Sequence, residues 1–178
     1  GRVEVEPVPG WLVVGGHGSY NKHDNVVFNS GRAVMDLYRV CGSGDLTLTI
    51  PPAGITLGAV GGYGVNLEDE NGDGKKDFRY GGASAHLLWN LTPLLRHLTH
   101  HRYSPHHQIL LGFRYEWLFT VSDEAPERIV YQRYTAGVTY AFRDVLKVQF
   151  NAILNRTDRP FVADLDDDAF ILGFQAAF

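Results

Sequence analysis

The sequence lacks several features that would place it among helical or disulfide-stapled proteins. Cys41 is its one cysteine, so no internal disulfide is expected and a small bridge-stapled secreted domain is excluded. No apolar run reaches the roughly 18 residues of a transmembrane helix. Residues 1–9 contain no apolar segment of the signal-peptide type, so an exported protein would have lost its signal already. The net charge of −4 gives no basic face for phosphates, and no nucleic-acid partner is expected.

What the sequence does contain favours β-structure. It has 20 Gly, 10 Phe, 9 Tyr and 3 Trp among 178 residues, which form one domain by length. Alternation of apolar with small or polar residues, interrupted by turn-rich segments, predicts about eight strands. Residues 1–10 are predicted to be an N-terminal extension, and residues 11–178 one barrel domain. The predicted strands are Trp11–Tyr20, Val26–Val40, Ile55–Asn66, Phe78–Asn90, Gln108–Val121, Ile129–Phe142, Val145–Asn155 and Ala169–Phe178.

The fifth predicted strand shows the alternation most clearly. Every second residue from Ile109 to Phe119 is aliphatic or aromatic, whereas the intervening positions include Gly112, Arg114 and Glu116. Such a strand fits a soluble barrel whose apolar side chains point inward. It equally fits a membrane barrel whose apolar side chains face lipid and whose charges lie in the lumen.

Three observations favour the membrane interpretation. The interior of an eight-stranded barrel is just wide enough for side chains, and the many Phe, Tyr, Trp and Leu residues would overfill it. The opposite faces are rich in Gly, Ala, Ser and Thr, which suit a crowded lumen. Aromatic residues also concentrate near the strand ends, as the interfacial girdles of membrane barrels require.

The last predicted strand, Ala169–Phe178, alternates Phe170, Leu172, Phe174 and Ala176 with smaller or polar residues and ends on Phe178. A terminal strand of this kind resembles the closing strand of small bacterial outer-membrane β-barrels, of the OmpA transmembrane-domain, OmpW or OmpX type. The resemblance covers the architecture and does not identify a subfamily. It implies an all-β, eight-stranded antiparallel up-and-down transmembrane barrel in the bacterial outer membrane, in contact with lipid and lipopolysaccharide. Any protein partner is left open.

One segment has the residue order of a calcium-binding loop. Asp69, Asn71, Asp73 and Asp77 occupy side-chain ligand positions, Lys75 supplies a carbonyl, and Gly74 permits the sharp turn. The segment resembles the first part of an EF-hand loop but has Tyr80 where the bidentate Glu belongs. We therefore expect either a weak extracellular Ca²⁺ site or an acidic loop that binds no metal.

Charged residues on the predicted lumen face form a second candidate site. Charges in a narrow interior must be paired, which predicts a salt-bridged plug and a non-enzymatic structural or interaction scaffold. The alternative is a narrow, porin-like ion path. The predicted network consists of Arg32, Asp36, Arg114, Glu116, Arg133 and Lys147.

Other chemistry is signalled more weakly. Five histidines between His97 and His107 could hold a transition metal, although a solvated basic connection is favoured there. Ser84 with His86, and Ser19 with His17, would be the pairs of a lipid A-modifying enzyme, but neither has an identifiable acidic partner. A soluble ligand-binding barrel, and a piece of a larger barrel or complex, are the remaining alternatives.

Overall fold

In a computed structural model, nearly all of the described chain forms β-strands. The structure describes residues 1–27, 33–68, 78–100, 102–104, 106–122, 128–143, 145–158 and 167–176; at 22–27, 33–38, 66–68, 78 and 122 the description is limited to the backbone. A short α-helix, α1 (Thr92–Leu98), and a single 3₁₀ turn, Pro51–Ala53, lie among the described strands. The strands are β1 (Arg2–Val8), β2 (Leu12–Val27), β3 (Ala33–Ile50), β4 (Ile55–Glu68), β5 (Phe78–Asn90), β6 (His107–Ser122), β7 (Ile129–Phe142), β8 (Leu146–Asp158) and β9 (Ala169–Ala176).

All nine strands belong to one sheet in which sequence neighbours are spatial neighbours and every pair is antiparallel. The described connections at one end of the sheet are mostly tight. Gly10 and Gly54 have φ values of 73° and 67°, and Arg143 has a φ of 49°, as sharp turns require. The long connection from β5 to β6 contains α1. The prediction of an all-β, antiparallel up-and-down fold is therefore confirmed.

The described sheet is open, because β1 pairs with β2 alone and β9 with β8 alone. The structure has nine strands rather than the predicted eight. The additional strand, β1, comes from the residues 1–10 that were predicted to be an N-terminal extension. It occupies the edge of β2 that an eight-stranded closure onto β9 would need.

The boundaries of the first two predicted strands are wrong. Residues 21–25, which separate those two predicted strands, lie within β2, and so do Val26 and Val27, the predicted start of the second strand. Cys41–Ile50, which follows the predicted end of the second strand, lies within β3. The run Gly42-Ser43-Gly44-Asp45 has the composition of a turn. In the sheet, however, Gly44 pairs with Gly16 on one side and Gly61 on the other, so small residues match small residues across three strands.

Register separates the side chains into two faces of different chemistry. The apolar face is the one that carries Phe113 of β6, and the polar face is the one that carries Arg114. Residues that pair directly share a face, so Leu87, Ala136 and Ala152 extend the apolar face from Phe113 across the neighbouring strands.

Neither face covers a packed core. Among the described residues, no large side chain is fully buried. Most of the exposed large hydrophobic side chains of the strands lie on the apolar face, where Phe170 and Phe174 are 74% and 71% exposed. Four lie on the polar face, namely Val60, Leu88, Leu118 and Ile171. An exposed apolar surface of this extent indicates a contact with something other than water.

Candidate functional site: two faces of one sheet

The described apolar face is free of charged side chains over most of its height. Among the residues whose side chains the structure describes, its charged members are Arg79, Arg156 and Asp158, and all three lie at the same end of the sheet. Between that end and the opposite one, its members are aliphatic, aromatic or glycine, with Gln132 as a polar exception near the charged end. Burying such a surface in hydrocarbon would leave no charge unsolvated.

The height of this uncharged band can be gauged along β6. From His107 to Trp117 the strand rises about 33 Å at roughly 3.3 Å per residue. A tilt of about 45°, as in transmembrane β-strands, would reduce this height to about 23 Å. That height is close to the roughly 25 Å apolar band of outer-membrane barrels.

Aromatic side chains mark both ends of the band. At the charged end, the guanidinium of Arg128 lies 5.0 Å from the ring centroid of Trp117 and 4.6 Å from that of Phe119. At the other end, His107 Nδ1 is 2.6 Å from the Tyr140 hydroxyl, and its ring centroid is 4.9 Å from that of Phe142. Amphipathic rings with charged or polar neighbours suit a membrane–water interface.

On the polar face, glycines give room for side chains of the adjacent strand. The His86 ring lies over Gly58, and the Asn151 amide lies over Gly137. The Asp45 carboxylate similarly covers Gly15. The Gly positions therefore let polar side chains lie flat along the sheet.

The structure brings together part of the predicted charge network. Arg114 donates to Glu116 at 2.7 Å, whereas Arg133 donates to the Asn155 amide oxygen at 2.8 Å. Within the described part of the chain, Lys147 has neither a hydrogen bond nor an ion pair. The remaining two members fall outside the description: Arg32 entirely, and Asp36 in its side chain.

A second polar-face cluster was not predicted from the sequence. Arg2 donates to Glu4 at 2.9 Å and to Asp45 at 3.2 Å, which joins β1 to β3 across β2. Period-two alternation in residues 2–6 was the signal that could have revealed β1. Residues 1–10 were predicted to be an extension because Pro7 and Pro9 disfavour a strand within a sheet.

An open recess on the polar face is lined by residues of β5 to β8. Its volume is about 440 Å³, and its walls include His86, Arg114 and Lys147. Thr135, Thr139 and Gln149 contribute hydroxyl and amide groups. The lining is mainly apolar, and its charged members are the cations Arg114 and Lys147.

The candidate calcium ligands Asp69, Asn71, Asp73, Lys75 and Asp77 all lie outside the described residues. In the described part, no group of three or more His, Cys, Asp or Glu side chains is arranged to hold a metal ion. His107, a member of the histidine segment, is instead engaged with Tyr140 and Phe142.

Neither proposed Ser/His pair forms a hydrogen bond between its two members among the described contacts. Ser19 Oγ lies 2.9 Å from Cys41 Sγ. Ser84 pairs in register with Glu116, and His86 with Arg114, on the polar face. The polar face therefore brings an acid into register beside Ser84, but the described geometry contains no charge-relay arrangement.

No family model, no curated protein and no solved structure matches the chain. In the described residues, no helix is both long and apolar enough to cross a membrane.

Proposed function

We propose that this chain forms a wall of a bacterial outer-membrane β-barrel and acts as a membrane-embedded structural or interaction scaffold. In this proposal the apolar face contacts lipid and lipopolysaccharide, and the polar face lines the barrel interior. The observation that carries it is the exposed apolar face, uncharged over about 23 Å and bordered by aromatic rings at both ends.

The soluble-barrel alternative would place the apolar face inside. Its polar face would then meet water with Gly, Thr and few charges, and the apolar interior would have to hold Phe113, Phe150, Tyr115 and their neighbours. These side chains show no such mutual burial, since Phe113 and Phe150 are 48% and 47% exposed. The degree of exposure supports lipid contact.

Site-directed labelling tests the orientation. In a Cys41→Ser background, Val138→Cys would place a thiol on the apolar face, and Thr139→Cys would place one on the polar face one residue away. With the protein in vesicles, we expect a lipid-confined maleimide to label position 138 at least about tenfold faster than position 139. Equal labelling by that reagent, or a protein that stays soluble without detergent, would contradict the proposal.

The polar face favours a second candidate function, the lining of a water-filled pore. A plugged lumen buries and pairs its charges. Here the Arg114 side chain is 54% exposed, Arg133 is bonded to a neutral amide, and Lys147 is exposed. Nine strands also exceed the eight whose interior side chains alone can fill.

Planar-bilayer conductance separates scaffold from pore. From β6 to β8 the polar face bears the cations Arg114, Arg133 and Lys147 and the single acid Glu116. A pore lined by this region should prefer anions, and Lys147→Glu should lower that preference. Lys147→Arg is the matched control, because it keeps the charge. Bilayers that remain electrically silent with correctly inserted protein would leave the scaffold as the function.

A Ca²⁺ site in the segment that follows β4 remains part of the proposal. It is supported by the residue order Asp69, Asn71, Asp73, Lys75 and Asp77. Calorimetric titration of the whole protein should give a dissociation constant of about 10⁻⁴–10⁻³ M, as in extracellular modules. Asp73→Asn should weaken it, whereas Asp167→Asn, in a different segment, should not.

A further inference from the structure

The two outer strands of the sheet each have one unpaired edge. Within the described chain, β1 is bonded on its β2 side alone and β9 on its β8 side alone. Backbone N–H and C=O groups along such edges are unsatisfied by the sheet. In a hydrocarbon environment each unsatisfied group costs several kcal/mol, so an open edge cannot face lipid.

The two edges differ in chemistry. β1 carries Arg2, Glu4 and Glu6, contains Pro7, and is interrupted by a bulge between Val5 and Val8. Charge, proline and bulges are the devices by which proteins protect an edge from pairing. β9 has none of the three, since its sequence is Ala-Phe-Ile-Leu-Gly-Phe-Gln-Ala and its pairing with β8 is regular. β9 is therefore the edge at which another strand can pair.

Strand parity limits which strand that can be. Every sequential pair is antiparallel, so odd-numbered strands share one direction and β1 runs parallel to β9. Pairing of β9 with β1 would therefore be parallel. A second copy inserted in the same orientation would meet the same mismatch, because its β1 would also run parallel to β9. Antiparallel closure requires an odd number of additional strands between β9 and β1.

We propose that the free edge of β9 pairs with an antiparallel strand supplied by polypeptide outside residues 1–178, as the first of an odd number of strands that lead back to β1. Its chemistry is set by the faces of β9. Apolar side chains must continue the surface of Phe170, Leu172 and Phe174, and small or polar ones must continue that of Ile171 and Gln175. The inference rests on the proposed function, because an unpaired edge is costly where hydrocarbon excludes water and is solvated where water reaches it.

Photo-crosslinking in the cells that make the protein tests the pairing. Benzoylphenylalanine is introduced at Ile171 or, separately, at Gln175; both lie on the polar face, away from lipid. We expect both to crosslink to one peptide segment outside residues 1–178. The attachment site from position 175 should precede that from position 171 in the partner sequence, because antiparallel order reverses the direction. The mapped sequence then tells whether the segment is covalently continuous with this chain.

The same probe at Asn151 is the matched control. Asn151 pairs directly with Ile171 but lies on β8, which has a strand on each side. It should therefore crosslink within residues 1–178. Products from positions 171 and 175 that map to residues 2–8 of the same chain, to β9 of a second copy, or to lipid alone would overturn the proposal.

Hydrogen exchange gives a measurement that needs no substitution. In the 178-residue chain isolated in micelles, every second amide of β9 points to the unpaired edge. We expect these amides to exchange at least about 100-fold faster than amides of β5, which is paired on both sides. Equal protection of β1, β5 and β9 would mean that the chain closes on itself and would overturn the proposal.

Discussion

The two faces of the sheet are built from the same strands, yet they differ in almost every chemical respect. The apolar face carries its charges at one end and is bordered by aromatic rings, whereas the polar face distributes Arg2, Asp45, Arg114 and Lys147 over its height. Adjacent residues thus belong to different environments. The difference is the one expected of a sheet that separates two media, and it can be tested by placing one change on each face.

The largest expected effect comes from a charge at the middle of the apolar face. Val138 pairs with Leu111 and Phe150 there. Val138→Arg should lower the free energy of unfolding in vesicles by about 2–4 kcal/mol, the cost of Arg at the bilayer midplane of a barrel. Denaturant titration monitored by tryptophan fluorescence measures it.

Thr139→Arg is the control for that prediction, since the neighbouring residue lies on the polar face. We expect it to change the free energy of unfolding by less than about 1 kcal/mol, as for a solvated surface position. If the two variants lose stability equally, the assignment of the faces is contradicted. If position 139 is the more sensitive, the assignment is reversed.

A smaller effect is expected where the strands approach too closely for a side chain. A Cβ atom on Gly82 would lie 2.6 Å from the carbonyl oxygen of Trp117, which belongs to the backbone and cannot rotate away. Gly82→Ala should therefore destabilise the protein by about 1–3 kcal/mol, the usual cost of overpacking. Gly16→Ala is the control, because the nearest atom is a carbonyl oxygen at 3.8 Å. Equal unfolding midpoints for the two variants would contradict the close approach.

The sequence predicted the strands better than it predicted their number and their edges. Period-two alternation located β4 to β9 because long side chains alternate with small ones there, as at Ile109–Phe119. It failed at Gly42–Asp45, where glycines that resemble a turn pair with glycines of neighbouring strands. Alternation reports the faces of one strand, and the partners of a strand depend on tertiary pairing that a local pattern does not encode.

The contacts of the candidate site also differ in how far the sequence predicts them. The Arg114–Glu116 pair was predictable, because residues two apart in a strand share a face. The bond from Arg133 to Asn155 and the bond from Arg2 to Asp45 depend on register between strands, and neither is visible in a single strand. Sequence therefore identified which residues of one strand share a face, and structure was needed to say which residues of different strands meet.

The smallest expected effect tests whether water reaches the polar face. Arg114 Nη2 lies 2.7 Å from Glu116 Oε1, and the two side chains are 54% and 31% exposed. A double-mutant cycle with Arg114→Gln and Glu116→Gln should give a coupling energy of about 0.2–1 kcal/mol if water reaches the pair. Removing one partner from a dry, plugged interior would instead cost about 3–5 kcal/mol, because the other charge would be buried alone. Vesicle-bound protein unfolded in urea measures the four stabilities. A small coupling favours the water-filled polar face, and a large single-variant loss favours the salt-bridged plug.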